Sequence, residues 1–175
     1  FEPYAQIKIL NPDGDGIGEI AAKGPMVMKG YYKMPEETAK MFTEDGWFKT
    51  GDLGKIDSEY YVTLCGRAKN MIVTAGGKNV YPEEIENAFQ LYDEIEQITV
   101  QGYIPEGQKA GEEIEALVYP SDAMMTRLGT DRTKPEDAEQ IHKEVSAVVD
   151  EVNRNLLTYQ RISKVTILPE PLEMT

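Results

Sequence analysis

Asp52 follows Thr50 and Gly51, and a short acid beside a glycine can present both carboxylate oxygens to neighbouring hydroxyl groups. Fifteen positions on, Arg67 supplies a rigid fork of N–H donors. Taken alone, the two residues are a turn aspartate and a surface arginine, or a salt bridge with each other. Gly76 and Gly77, followed by Lys78, form a second group. The glycine pair reads as a hairpin turn needing positive φ, and a backbone without Cβ atoms also lets a ligand chain pass close by. It is not a Walker loop, because the G-x-x-x-x-G-K-[ST] spacing fails and Asn79 replaces the hydroxyl.

Other candidates fall away on their own chemistry. Asn11 to Glu19 has the rhythm of a calcium loop through Asp13, Asp15 and Gly16, but its twelfth position is Ala22 and flanking helices are absent. The single histidine, His142, has no Cys or His partner at ligand spacing, so no metal site is expected. Cys65 ends a strand candidate and reads as a small buried thiol. Trp47 and the Tyr31–Tyr32 pair read as packing groups.

Bulk composition excludes several function classes. Eighteen basic side chains against 31 acidic ones give a formal charge of −13, which disfavours a nucleic-acid surface or a polybasic membrane patch. One cysteine cannot make an internal disulfide, so a reducing, cytoplasmic setting is expected. No apolar run approaches the roughly 20 residues of a membrane span. The chain starts at Phe1 and stops at Thr175, and both ends read as cut from something longer.

The elements that must position these groups follow from turn signals and periodicity. Strand candidates run 5–10, 18–23, 47–50, 53–57 and 60–65, with a short helix opening at Pro35; this half is β-rich and barrel-like. From Asn70 the pattern changes to a hairpin through 71–74 and 79–81, then a helix from Pro82 with Ile85, Ala88, Phe89 and Tyr92 on its apolar stripe. Strands at 95–103 and 112–119 follow. A long helix opened by Pro135 presents Ala138, Ile141, Val145, Val148, Val152 and Leu156, and a last strand covers 165–168. The expected fold class is α+β, a small β-rich subdomain over 1–68 followed by an α+β C-terminal lid domain over 69–175.

Gly46-Trp47-Phe48-Lys49-Thr50-Gly51-Asp52 and Gly66-Arg67-Ala68-Lys69 stand in order with Gly18-Glu19-Ile20, Gly30-Tyr31 and Gly76-Gly77-Lys78-Asn79-Val80-Tyr81-Pro82-Glu83-Glu84-Ile85-Glu86. This ordered set resembles the acyl-adenylating (AMP-binding) superfamily, and most of all its long-chain fatty acyl-CoA synthetases. The likeness spans essentially the whole chain. It implies that residues 1–68 are the end of the large AMP-binding domain and 69–175 its mobile C-terminal domain, stopping before the catalytic-lysine tail. It implies ATP, Mg²⁺ and CoA as co-substrates with a fatty acid. Asp52 would accept the ribose hydroxyls of ATP, with Arg67 beside it. Lys69 would be the hinge, Gly76 and Gly77 would border the pantetheine tunnel, and Lys78 would lie near the nucleotide. The phosphate-binding loop and acid pocket of such enzymes lie upstream, so the chain alone is expected to be inactive. An adenylating ligase for an aromatic or amino acid, or a non-catalytic binding module, are the alternatives. Peripheral membrane association through the absent half stays open.

Overall fold

The computed structural model describes residues 4–107 and 110–172, so the expected cut at Phe1 and the Glu173–Thr175 lead into a tail lie outside the described residues. The chain divides into two compact units, Phe1–Lys69 and Asn70–Thr175.

The first unit is an antiparallel meander of β1 (Gln6–Leu10), β2 (Gly18–Lys23), β3 (Phe48–Ile56) and β4 (Val62–Arg67), paired in that order. The sheet is open, with β1 and β4 at its edges. The Asn11–Gly16 turn between β1 and β2 is held by Asp13, whose Oδ1 accepts the N–H groups of Asp15 and Ile17 at 2.9 and 3.0 Å. This carboxylate closes its own turn, which accounts for the calcium-loop rhythm of the segment. Helix α1 (Pro35–Lys40) opens on proline, where the missing N–H costs nothing. The two strand candidates at 47–50 and 53–57 are one nine-residue strand, β3. The backbone passes Gly51 at φ 76° without leaving the sheet. Trp47 is half-buried under the ammonium groups of Lys8 and Lys23, 4.4 and 5.8 Å from its ring centroid.

The second unit opens with a two-stranded ribbon, β5 (Ile72–Val73) and β6 (Asn79–Val80), and helix α2 (Pro82–Asn87). A three-stranded sheet follows in the order β7 (Ile95–Tyr103), β8 (Glu113–Pro120), β9 (Ile162–Ile167). The first pair is antiparallel and the second parallel, with α3 (Asp122–Leu128) and α4 (Ala138–Asn155) in the connection. Even-numbered β8 residues Ile114, Ala116 and Val118 join Ile85 and Phe89 of the α2 segment and Ile141, Val145, Val149 and Val152 of α4 in one core. Burying each such aliphatic or aromatic side chain contributes about 1.5–3 kcal/mol.

Three local expectations need correction. Helix α3 was not anticipated, although its signals are plain: the Ser121 hydroxyl accepts the Met124 N–H, and Gly129 closes the helix at φ 67°. The last strand starts at Ile162, three residues before Val165, because Asn153 of α4 bonds both backbone groups of Ile162 and seats it against β8. Helix α2 stops at Asn87, so Phe89 reaches the core from the turn that follows, not from helical periodicity.

Candidate functional site

The first unit brings Asp52 and Arg67 together. They face each other across the β3–β4 ladder, and Arg67 Nη1 lies 2.7 Å from Asp52 Oδ1. Their side chains are 35% and 51% exposed respectively, and a pair this wet contributes at most about 1 kcal/mol to folding. The backbone beneath is held more firmly. The Thr50 hydroxyl donates to the Ile20 carbonyl at 2.9 Å and accepts the Asp52 N–H at 3.1 Å. The Gly51 N–H donates to Glu19 Oε1 at 3.1 Å. The result is an aspartate fixed on a braced strand, with a guanidinium fork beside it and its edge open to solvent.

The second unit carries an open cleft of about 620 Å³ whose walls include Gly76, Lys78, Glu112, Tyr159, Arg161 and Ser163. Acids and bases on this wall differ in how they are engaged. Glu112 Oε2 accepts the Val73 N–H, and Glu113 Oε2 accepts the Tyr103 hydroxyl at 3.0 Å. Lys78 and Arg161 make no ion pair among the described residues, so their charges are open to a ligand beside those of the two carboxylates. Thr74 builds the turn, exchanging backbone and hydroxyl hydrogen bonds with Lys78. Gly77 sits at φ 70°, whereas Gly76 is outside the left-handed region and a Cβ there would meet nothing within 4 Å. The fold therefore requires glycine at 77 and leaves 76 free of any structural demand.

Two further carboxylates of this unit serve the framework. Glu115, 5% exposed on the outer face of β8, accepts from Lys164 at 2.8 Å, Thr166 at 2.7 Å and Gln101 at 3.0 Å. Burial pushes its carboxyl up, but these three hydrogen bonds outweigh it and hold Glu115 below the ordinary carboxylate range. Glu86 accepts the Val100 N–H at 2.8 Å and so closes the open edge of β7. Its burial pushes the carboxyl above the ordinary range against that bond, with the charge of Glu83 adding to the rise.

The sequence and the fold have known relatives. The sequence is 46% identical over 101 residues to a long-chain fatty acid–CoA ligase of Bacillus subtilis, covering 58% of this chain and 17% of that protein. It is 38% identical over 124 residues to a feruloyl-CoA synthase of Amycolatopsis, covering 68% of this chain and 24% of that protein. The crystal structure of ATP-bound MatB from Rhodopseudomonas palustris superposes over 99% of this chain and 32% of its own, at 32% identity and a TM-score of 0.69. The chain is homologous to the adenylate-forming acyl-CoA ligases. No family model matches it. These ligases are much longer, and the chain spans about a sixth to a quarter of the curated relatives just described.

Against that ligase background, the sequence-derived residues fall in three places. Asp52 and Arg67 are in direct contact. Lys69 is exposed in the turn that ends the first unit. Gly76 and Lys78 line the cleft, while Gly77 shapes the turn behind them. Sequence reasoning missed Glu112, Tyr159, Arg161 and Ser163 on the cleft wall, because they come from segments more than thirty positions away. The Tyr159–Arg161 step before β9 carried no motif that marks it. Among the described residues no three His, Cys, Asp or Glu side chains gather as a metal site, and no helix is long and apolar enough to cross a membrane.

Proposed function

We propose that the chain is the C-terminal part of an ATP-dependent acid–thiol ligase that acts on fatty acids. In the first half-reaction the substrate carboxylate attacks the α-phosphorus of MgATP, forming acyl-adenylate and expelling pyrophosphate. In the second, the thiolate of CoA attacks the acyl carbon and AMP leaves. Asp52 would accept the ribose hydroxyls of the nucleotide while Arg67 holds its carboxylate in place and donates to the same ligand. Charge-assisted bonds of this kind are about twice as strong as neutral ones. Lys69, at the junction of the two units, would be the pivot between half-reactions. Lys78 would lie near the nucleotide, Arg161, in no ion pair among the described residues, suits the phosphates of CoA, and Gly76 would leave room for its pantetheine arm.

The observation that carries this reading is the wet Asp52–Arg67 pair on a braced strand, in a chain homologous to CoA ligases. So exposed a pair adds little to folding and leaves both side chains accessible to a ligand. The fatty acid is favoured by the 46% identity to the Bacillus ligase, and an aromatic acid is the second reading, supported by the feruloyl-CoA synthase at 38%. Since the chain spans a small share of such enzymes, the 175-residue segment by itself is expected not to turn over.

The test is pyrophosphate release from the full-length ligase with ATP, Mg²⁺ and a panel of fatty, aromatic and amino acids. Turnover is expected with fatty acids, falling roughly 10- to 100-fold in Asp52→Ala as a charged hydrogen bond is lost. Turnover confined to other acids keeps the mechanism and moves the substrate. No turnover from a folded protein leaves a binding module instead.

A further inference from the structure

The ribbon that carries Gly76 is too short to hold itself. Strands β5 and β6 are two residues each, and an isolated hairpin of that size is not stable in water. Ile72 and Val80 anchor its inner side in the core of the second unit, and the start of β8 holds its outer edge. The Glu112 N–H donates to the Val73 carbonyl at 3.0 Å, and the Val73 N–H donates to Glu112 Oε2 at 3.1 Å. Thr74 and Glu112 form an isolated parallel bridge, so one glutamate engages the outer edge of β5 with both backbone and side chain.

Two glycines make that grip possible. Gly111 sits at φ 80°, and a Cβ there would collide with the backbone of Ala75, the residue next to Gly76. Gly102 of β7 leaves the space in which the Glu112 carboxylate lies, since a Cβ at 102 would come within 2.6 Å of Glu112 Oε1. The Ala75–Gly76 turn is thus seated directly on Gly111, and its strand is pinned by Glu112.

We propose that Gly111 and Glu112 are positioning residues that set the height of the Gly76 turn for the thiol-transfer half-reaction. The proposal rests on the ligase reading above. Neither residue belongs to the nucleotide group around Asp52, so their loss should be felt in one half-reaction and not in the other.

The experiment separates the two in the full-length ligase: ATP–pyrophosphate exchange reports adenylation, and CoA-dependent AMP release reports thiol transfer. In Gly111→Ala and Glu112→Ala, exchange is expected to stay within about threefold while AMP release falls by roughly tenfold or more through a raised KM for CoA. Glu112→Gln keeps an oxygen that can accept the Val73 N–H and is expected to recover most of the loss. An equal fall in both half-reactions, or no fall in AMP release, overturns the proposal. Gly76→Val in the same assays keeps the two readings apart. If it spares thiol transfer, the channel reading itself fails; if it blocks transfer while Gly111→Ala does not, only the positioning role fails. Should Gly111→Ala not fold, amide exchange on the 175-residue chain decides. Glu112→Ala is expected to speed exchange at the Val73 amide roughly tenfold while Val118 stays protected, and an unchanged Val73 rate overturns the proposal.

Discussion

The two units are built to different standards. Among the described residues, the first buries four hydrophobic side chains, Ile20, Ala21, Leu53 and Cys65, whereas the second buries 17. The first also exposes much of its own apolar surface: Tyr60 is 87% exposed and Leu64 70%, both along the edge strand side of the meander. A sheet with so thin a core gains little from folding alone. On the proposed reading the rest of the large domain covers that edge. The second unit has the core of an independent body.

The comparison breaks most visibly if the units are separated. Residues 70–175 expressed alone are expected to unfold in one cooperative transition, while residues 1–69 give none and bind a hydrophobic dye. Cooperative unfolding of the first segment by itself would show that the count of buried residues misjudges it. Within the intact chain, Phe89→Ala should lower the stability of the second unit by about 3–5 kcal/mol in a denaturant titration, against about 2 kcal/mol for Leu53→Ala in the first. A smaller effect from Phe89 than from Leu53 reverses the argument.

Finer contrasts lie inside the second unit. Gly77→Ala forces a side chain into the left-handed region and is expected to cost about 1–2 kcal/mol. Gly76→Ala should change thermal stability by less than about 0.5 kcal/mol, and equal losses at the two positions would remove the case that 76 is structurally free. The smallest effect is on acid stability. Glu115, held below the ordinary range, contributes stability that is present above its unfolded value of about 4.3 and is lost as pH falls through the folded value. Glu86, raised above the ordinary range, does the reverse: its folded state favours the proton, so stability declines as pH rises from about 4.3 through the folded value. Stability profiles of Glu115→Gln and Glu86→Gln should therefore depart from wild type with opposite slopes, and parallel profiles would refute this assignment.

How legible each part was depended on how local its cause is. Strand β2 and strand β7 were readable to the residue, β2 as the strand returning from the Asn11–Gly16 turn. Asp52 and Arg67 were marked by motif, but that they face each other follows from hairpin register, which a bulge between Leu53 and Gly54 shifts. Of the glycine pair, sequence placed both in one turn, and only the backbone shows that Gly77 alone needs positive φ. The Glu112 clasp was not readable at all: it joins Val73 to a residue 39 positions on, and an isolated Gly-Glu step carries no periodic signal. Helix α3 was missed because seven residues between a serine and a glycine are too few for a stripe to stand out, although both caps were in view.

The parallel pairing of β8 with β9 has a consequence for how the second unit comes to be. Tyr103 meets Glu113 across a local hairpin, but Ile114 meets Ile162 only after 48 further residues, α3 and α4 among them, have been laid down. Closing so long a loop precedes any reward from the contacts it makes. The β7–β8 hairpin is therefore expected to form before β9 docks. The order in time runs opposite to the order of importance for the central strand, which waits half-paired until β9 arrives.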